Sequence, residues 1–132
     1  MATMTMMAAV AIGGAIGAVL RYSISLLIGA GIFGVSGPMA SLVVNVAGSA
    51  LMGCLAGSIA SGVVVPEVWR GFLAIGVLGA LTTFSSFALD AGHLWQTKGA
   101  IMTGAYVMAS VVMSLMSFGA MYMAARHSGI WQ

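Results

Sequence analysis

The fold of this chain is decided by a stretch near the middle of its third apolar segment. Residues 76–87 read Gly-Val-Leu-Gly-Ala-Leu-Thr-Thr-Phe-Ser-Ser-Phe. Two glycines, two β-branched threonines and a run of hydroxyl residues make a poor continuous helix. In a membrane, a break here would free backbone groups, which are tolerated only when they are buried or face a cavity. Freed carbonyls readily hold a small hard cation. The stretch therefore predicts a transmembrane helix that is broken beside a cavity.

The composition around this stretch is that of an integral membrane protein. Of the 132 residues, 61% are hydrophobic and 5% are charged, whereas soluble domains carry about 25% charged residues. The net charge of +2 is too small for a nucleic-acid surface, which needs a clustered basic patch. The single cysteine, Cys54, cannot form an intrachain disulfide or supply a zinc site. No Gly-x-Ser-x-Gly elbow, metal-ligand spacing or carboxylate pair indicates an enzyme.

Four apolar segments are each long enough to cross a bilayer, which takes about 20 residues. They cover approximately residues 4–30, 39–61, 68–95 and 100–125, and the third is broken near 79–83. Turn-forming residues separate them, namely the glycines, serine and proline between Gly29 and Pro38, the pair Pro66-Glu67, and Gln96-Thr97-Lys98-Gly99. The sequence predicts one all-α domain, residues 1–132, with four transmembrane helices.

The few basic residues give this domain no preferred orientation in the membrane. With four spans, both termini lie on the same side as the loop between helices two and three. That side holds Arg70 and Arg126, and the other side holds Lys98 and, at that end of helix one, Arg21. Because each side of the membrane then carries two basic residues, the positive-inside rule predicts neither orientation. This balance slightly favours dual topology, in which two inverted copies pair as an antiparallel homodimer.

Polar residues recur at helical spacing on three of the four segments, and polar groups inside a bilayer are costly. They are Ser41, Asn45 and Ser49 in helix two, Ser86, Asp90, His93 and Thr97 in helix three, and Tyr106, Ser110, Ser114 and Ser117 in helix four. One such stripe could merely bond its own helix or join two helices. Three stripes favour a wet or hydrogen-bonded path, which could carry an anion, water or a polar solute.

Three segments together resemble the Fluc/CrcB family of small bacterial fluoride channels. They read Gly13-Gly14-Ala15-Ile16-Gly17-Ala18-Val19-Leu20-Arg21-Tyr22, Val44-Asn45-Val46-Ala47-Gly48-Ser49 and Thr82-Thr83-Phe84-Ser85-Ser86-Phe87. Their order on four short helices makes the set specific. The resemblance implies a fluoride-selective channel in the bacterial inner membrane that exports cytoplasmic fluoride passively and protects against its toxicity. It also implies an antiparallel homodimer with two pores.

The resemblance also implies roles for individual residues. Phe84 and Phe87 would be the pore-lining aromatic pair, Asn45 the pore amide and Arg21 the vestibule arginine. Hydroxyls would continue the ion path, contributed by Tyr106, Ser110, Ser114, Ser41, Ser85 and Ser86. The backbone carbonyls of Gly79 and Thr82 would hold a structural sodium ion at the dimer axis.

The chain departs from the family pattern at three positions. Serine stands at Ser86 and Ser41 where threonine is usual, which keeps the hydroxyl. Asp90 replaces a glutamate and is one methylene shorter, which puts its place in the hydroxyl track in doubt.

The main alternative is a small proton-coupled exporter of the four-helix multidrug type. That chemistry requires a carboxylate near the middle of helix one, where this chain has only Arg21. Asp90 and His93 could shuttle a proton near one end of helix three. A helper subunit of a larger complex is a further alternative, which predicts no ion flux from the purified chain alone.

Overall fold

The computed structural model describes residues 2–29 and 37–127, and every regular element within them is helical. The elements are α1 (Ala2–Gly29), α2 (Gly37–Ala60), α3 (Glu67–Arg70), a π-helical segment (Gly71–Leu78), α4 (Gly79–Leu81) and α5 (Phe84–His127). Three runs of the described residues are long and apolar enough to cross a membrane, namely Ala2–Gly29, Gly37–Ala60 and Glu67–His127. The prediction of an all-α membrane protein is confirmed.

The connection between α1 and α2 differs from the predicted turn at its C-terminal end. Gly37 and Pro38, predicted as part of the turn, lie in the first turn of α2. Proline is accepted there because the first residues of a helix need no backbone N–H. Gly31, Gly34 and Ser36, the rest of that predicted turn, lie outside the described residues.

The run Glu67–His127 is interrupted at Thr82 and Thr83. Thr82 has φ −74° and ψ 151°, which is extended backbone, so α4 ends at Leu81 and α5 begins at Phe84. The backbone N–H and the hydroxyl of Thr82 both donate to the Leu78 carbonyl, at 3.1 and 2.9 Å. The hydroxyl therefore stabilises the end of the helix at the point where the chain leaves it.

The same run reverses direction at Gly99, whose φ of 80° lies outside the helical region and suits a residue without a Cβ. Phe87 and Tyr106, on either side of it, have ring centroids 5.5 Å apart. Nineteen residues along a straight helix would span about 28 Å. α5 therefore consists of two packed arms, residues 84–98 and 100–127. The reversal is shorter than the predicted Gln96–Gly99 turn because the first arm stays helical to Lys98.

α1 packs closely on the π-helical segment through glycines. A Cβ on Gly13 would meet the Phe72 carbonyl oxygen, and one on Gly17 would meet the Val77 carbonyl oxygen. Near the start of α1, Met6 lies against Gly71. Because the residue numbers rise together along both elements, α1 and the run 67–81 point in the same direction.

α2 packs in a similar way on the second arm of α5. A Cβ on Gly53 or Gly57 would meet the carbonyl oxygens of Phe118 and Tyr122, respectively. Ser117 Oγ donates to the Val46 carbonyl at 3.0 Å, which joins the two helices further toward the break. A small buried cluster of Val44, Leu78 and Leu81 connects this pair to the rest of the bundle.

Candidate functional site

A cavity of about 540 Å³ opens beside the helix break, between α2, α4 and the two arms of α5. Seven of the residues predicted for the site line it: Asn45, Gly79, Thr82, Phe84, Phe87, Ser110 and Ser114. Residues far apart in sequence thus converge on one cavity. The cavity is open rather than enclosed, so its mouth lies on the surface of this single chain.

Asn45 on α2 holds the backbone of the break. Its Oδ1 accepts the Thr83 N–H at 2.7 Å, and its Nδ2 donates to the Thr83 carbonyl at 3.0 Å. In an unbroken α-helix the Thr83 N–H would donate to the carbonyl four residues back, which belongs to Gly79. The Asn45 amide replaces the partners that Thr83 loses, and one of its two N–H donors is used in doing so.

The break leaves the Gly79 carbonyl without its helical donor, because the Thr83 N–H is bound to Asn45. The carbonyls at the end of a helix carry partial negative charge, and Gly79 and Thr82 both line the open cavity. A Cβ on Gly48 of α2 would strike the Thr82 side chain, so the break packs directly on the α2 backbone. The donor set of oxygen atoms from Gly79 and Thr82 fits a small hard cation.

Three aromatic rings follow one another from the edge of the cavity. Phe84 is 78% exposed and Phe87 is 9% exposed, and their ring centroids lie 5.4 Å apart. Phe87 is also 5.5 Å from the ring of Tyr106 on the second arm. Phe87 is thus fixed between two rings, whereas Phe84 projects from the bundle.

Ser110 contributes a buried hydroxyl to the cavity. The residue is 4% exposed, and its Oγ has no hydrogen-bond partner among the described residues. Buried hydroxyls are normally hydrogen-bonded, because leaving one unpaired costs about 1–3 kcal/mol. Ser110 also lines the cavity, so a bound acceptor there would satisfy it.

Beyond Phe87 the polar path continues to the first arm and to α2. The Tyr106 hydroxyl donates to Asp90 Oδ2 over 3.4 Å, a long hydrogen bond. Ser41 of α2 is 7% exposed and lies one helical turn before Asn45, which lines the cavity. Tyr106 and Ser41 therefore adjoin the cavity without lining it.

Ser85, Ser86 and Arg21 are the other predicted residues that do not line the cavity. Ser85 and Ser86 lie in the first turn of α5 and contact the Thr83 hydroxyl at 3.3 and 3.1 Å. Arg21 is on α1, which packs on the π-helical segment rather than at the cavity, and its carbonyl accepts a hydrogen bond from Ser25 Oγ at 2.9 Å. Arg21 was predicted to lie in a vestibule, and it does not line the cavity that a single chain forms.

Thr83 lines the cavity and was not among the predicted site residues. It is 7% exposed, and its Oγ1 accepts the Ser86 N–H at 3.1 Å. Threonine three residues before such an amide is a typical helix N-cap, so the spacing Thr83-Phe84-Ser85-Ser86 carried a usable signal. Its pairing with Asn45 had no local signal, because it joins residues on different elements.

Fold and cavity together define a multi-pass helical membrane protein with a polar, aromatic-edged cavity at a broken helix. Residues 8–123 match the family described as CrcB-like protein, Camphor Resistance (CrcB), and the chain belongs to this family. The resemblance seen in the sequence is therefore confirmed.

Curated relatives cover most of the chain. A fluoride-specific ion channel FluC from Saccharophagus degradans is 44% identical over 107 residues, which is 81% of this chain and 79% of the relative. Another FluC, from Shewanella amazonensis, is 43% identical over 106 residues, 80% of this chain and 84% of the relative. The FluC 1 of Nitrobacter hamburgensis is 40% identical over 111 residues, 84% and 87% of the two chains.

Proposed function

We infer that this chain is a fluoride-specific ion channel of the bacterial inner membrane, through which fluoride leaves the cytoplasm down its electrochemical gradient. It is a transport protein and not an enzyme. The observation that carries the inference is the buried Ser110 hydroxyl, which lines the cavity and has no hydrogen-bond partner within residues 2–29 and 37–127. Because the chain belongs to the CrcB family, we infer that the ion bound by this donor is fluoride.

The lining of the cavity suits a small, strongly hydrated anion. Hydroxyl and amide donors from Ser110, Ser114 and Asn45 can replace water around the ion. The edges of Phe84 and Phe87 carry positive quadrupole density and can face an anion. These donors are neutral, and conduction requires binding that is favourable yet weak enough for release.

The orientation of the two helices at the break supports the same assignment. α5 begins at Phe84 beside the cavity, and a helix N-terminus carries partial positive charge that favours an anion. α4 ends at Leu81, where carbonyls favour a cation. At the break, the start of α5 therefore favours an anion and the end of α4 favours a cation.

We propose that a structural sodium ion binds the carbonyls of Gly79 and Thr82 and supplies a fixed positive charge beside the anion path. Both residues line the cavity, which is open, and a second copy could share the ion at the dimer axis. Replacing all sodium by N-methyl-D-glucamine is expected to abolish fluoride efflux reversibly. Undiminished efflux after exhaustive sodium removal would contradict this site.

We further propose four membrane crossings per chain and an antiparallel homodimer with two pores. A straight helix of 61 residues would be about 92 Å long, three times the bilayer core, whereas the reversal at Gly99 lets the run cross twice. The cavity is open, and Phe84 projects from it with 78% of its surface exposed. A second copy would close the cavity and complete the two pores.

The function is tested by growth of a bacterium that lacks its own fluoride exporter. Expression of this chain is expected to restore growth on fluoride, whereas the Phe84→Ile variant, expressed in equal amount, is not. A proton-coupled exporter of the multidrug type would also restore growth. That mechanism requires an acidic residue in the first helix, and α1 contains none. Failure of the wild-type chain to restore growth, despite its presence in the membrane, would contradict the proposed function.

A further inference from the structure

The contacts between α2 and the second arm of α5 keep a constant register. A Cβ on Gly53 would meet the Phe118 carbonyl oxygen, and one on Gly57 would meet the Tyr122 carbonyl oxygen. The second contact lies four residues beyond the first on both helices. Residues four apart lie on the same face of a helix. The two helices therefore run in the same direction, and their facing residues advance together, turn by turn.

The same register places two pairs of polar residues opposite each other. One step of four residues before Gly53 and its partner, Ser49 is level with Ser114, and one step further back Asn45 is level with Ser110. All four of these polar residues line the same cavity. The backbones touch at Gly53, whereas the cavity lies between the helices at the level of the two polar pairs. Both pairs therefore face the space that an ion could occupy.

The pair formed by Asn45 and Ser110 indicates that this space takes a hydrogen-bond acceptor. Ser110 is 4% exposed, and its Oγ has no hydrogen-bond partner within residues 2–29 and 37–127. Asn45 donates one N–H of its amide to the Thr83 carbonyl, and an amide has two such donors. An anion in the cavity at this level would accept from the Ser110 hydroxyl. The next donors along the register then belong to Ser49 and Ser114.

Ser117 belongs to the same polar stripe of the second arm, and its hydroxyl has a different use. Its Oγ lies 3.0 Å from the Val46 carbonyl and 3.0 Å from the Ser114 carbonyl. The single proton of this hydroxyl is therefore directed to protein acceptors, and Ser117 does not line the cavity. Ser117 joins the two helices, whereas Ser49 and Ser114 line the space between them.

We propose that Ser49 is a further anion-binding residue, whose hydroxyl forms a second donor pair with that of Ser114. The identification of the anion as fluoride rests on the proposed function. Four residues of helix span about 6 Å, so this pair is one short step from the level of Asn45 and Ser110. Conduction is favoured by neighbouring sites, between which an ion can pass without being held tightly at one. The backbone contact at Gly53 keeps Ser49 opposite its partner.

The first test is fluoride efflux from proteoliposomes that contain the full chain. Ser49→Ala is expected to lower efflux about tenfold, since a hydrogen bond to a charged group is lost, and to leave the melting temperature in detergent unchanged. Ser49→Thr keeps the hydroxyl and is expected to restore most of the efflux.

Ser58→Ala is the matched control for this test. Ser58 is half-buried on the same helix, like Ser49, but nine residues are two and a half turns, which places it on the opposite face. Its replacement is expected to leave efflux unchanged. Normal efflux in Ser49→Ala would overturn the proposal. A loss of efflux that accompanies a lower melting temperature, and that Ser49→Thr does not restore, would also overturn it, because the role of Ser49 would then be structural.

The second test examines the facing pair without measuring transport. In a Cys54→Ala background, which removes the only cysteine, the double variant Ser49→Cys with Ser114→Cys is treated with a short bifunctional thiol reagent. We expect a cross-link within one chain, identified by peptide mass in the monomer band of a denaturing gel. Ser58→Cys with Ser114→Cys is the control pair and is expected to give none.

The two tests separate this proposal from the proposed function. Absence of the cross-link between positions 49 and 114, or equal cross-linking in the control pair, would overturn the facing pair whatever the chain transports. If the wild-type chain transports no fluoride, the proposed function fails, and with it the role of Ser49 in binding that ion, even where the cross-link forms.

Discussion

Gly17 of α1 lies directly against the carbonyl oxygen of Val77 in the π-helical segment, so closely that a Cβ at position 17 would overlap it. The contact is between two backbones, and neither can move without shifting a helix. Val77 precedes the break by only a few residues. The packing of α1 therefore sets the position of the helix end that borders the cavity.

Replacement of Gly17 is expected to destabilise the protein. Gly17→Ala overpacks a backbone contact, which typically costs about 1–3 kcal/mol, and should lower the melting temperature in detergent. Gly14→Ala is the matched control, since a Cβ there meets nothing within 4 Å and alanine is the better helix former. A Gly17→Ala variant that melts no lower than Gly14→Ala would refute the close contact.

Ser110→Ala separates function from stability. Removing an unpaired buried hydroxyl is expected to leave the melting temperature unchanged or to raise it, since no hydrogen bond is lost. Fluoride efflux should fall about tenfold because the anion loses a donor. Ser25→Ala, on α1 and away from the cavity, serves as the control for efflux. A Ser110→Ala variant with normal efflux would show that this hydroxyl does not meet the ion.

The two phenylalanines are expected to respond differently to substitution. Phe84→Ile should lower fluoride efflux about tenfold through loss of the ring edge and leave the stability of the single chain unchanged, because Phe84 is 78% exposed there. Phe87→Ala should also lower the stability, by about 3–5 kcal/mol, because the ring is buried between Phe84 and Tyr106. Melting curves and efflux measured on the same preparations compare the two. Equal destabilisation by both changes would argue against this difference in packing.

The antiparallel homodimer is tested by covalent fusion of two copies. A fusion through an added transmembrane linker inverts the second copy and is expected to conduct like the unfused protein. A fusion that forces both copies into one orientation is expected to be inactive, as long as its protomers cannot pair between molecules. Equal fluoride efflux from the two fusions at high dilution in lipid would count against the antiparallel arrangement.

The break is the part of the structure that sequence reasoning reached most directly. Its position follows from local chemistry, because Thr82 and Thr83 combine low helix propensity with hydroxyls that bond the backbone. The periodic placement of Asn45 and Ser110 likewise brought both to the cavity. These signals are contained in single segments and need no knowledge of the tertiary structure.

The features that were missed depend on contacts between segments. The pairing of Asn45 with Thr83 joins residues 38 positions apart, and helical periodicity gives only the face of Asn45, not its partner. The π-helical segment Gly71–Leu78 is a uniformly apolar run without a local signal for an altered hydrogen-bond register. The sequence predicted a turn at Gln96–Gly99. In the structure only Gly99 leaves the helical conformation, because the helix continues through Lys98.

Fluoride efflux from proteoliposomes containing only this chain, with chloride as the comparison ion at fixed pH, tests the assignment as a fluoride channel most directly. The expected result is rapid fluoride efflux that needs no proton gradient, without measurable chloride efflux. Absence of fluoride efflux, equal efflux of chloride, or efflux tied strictly to a proton gradient would contradict it.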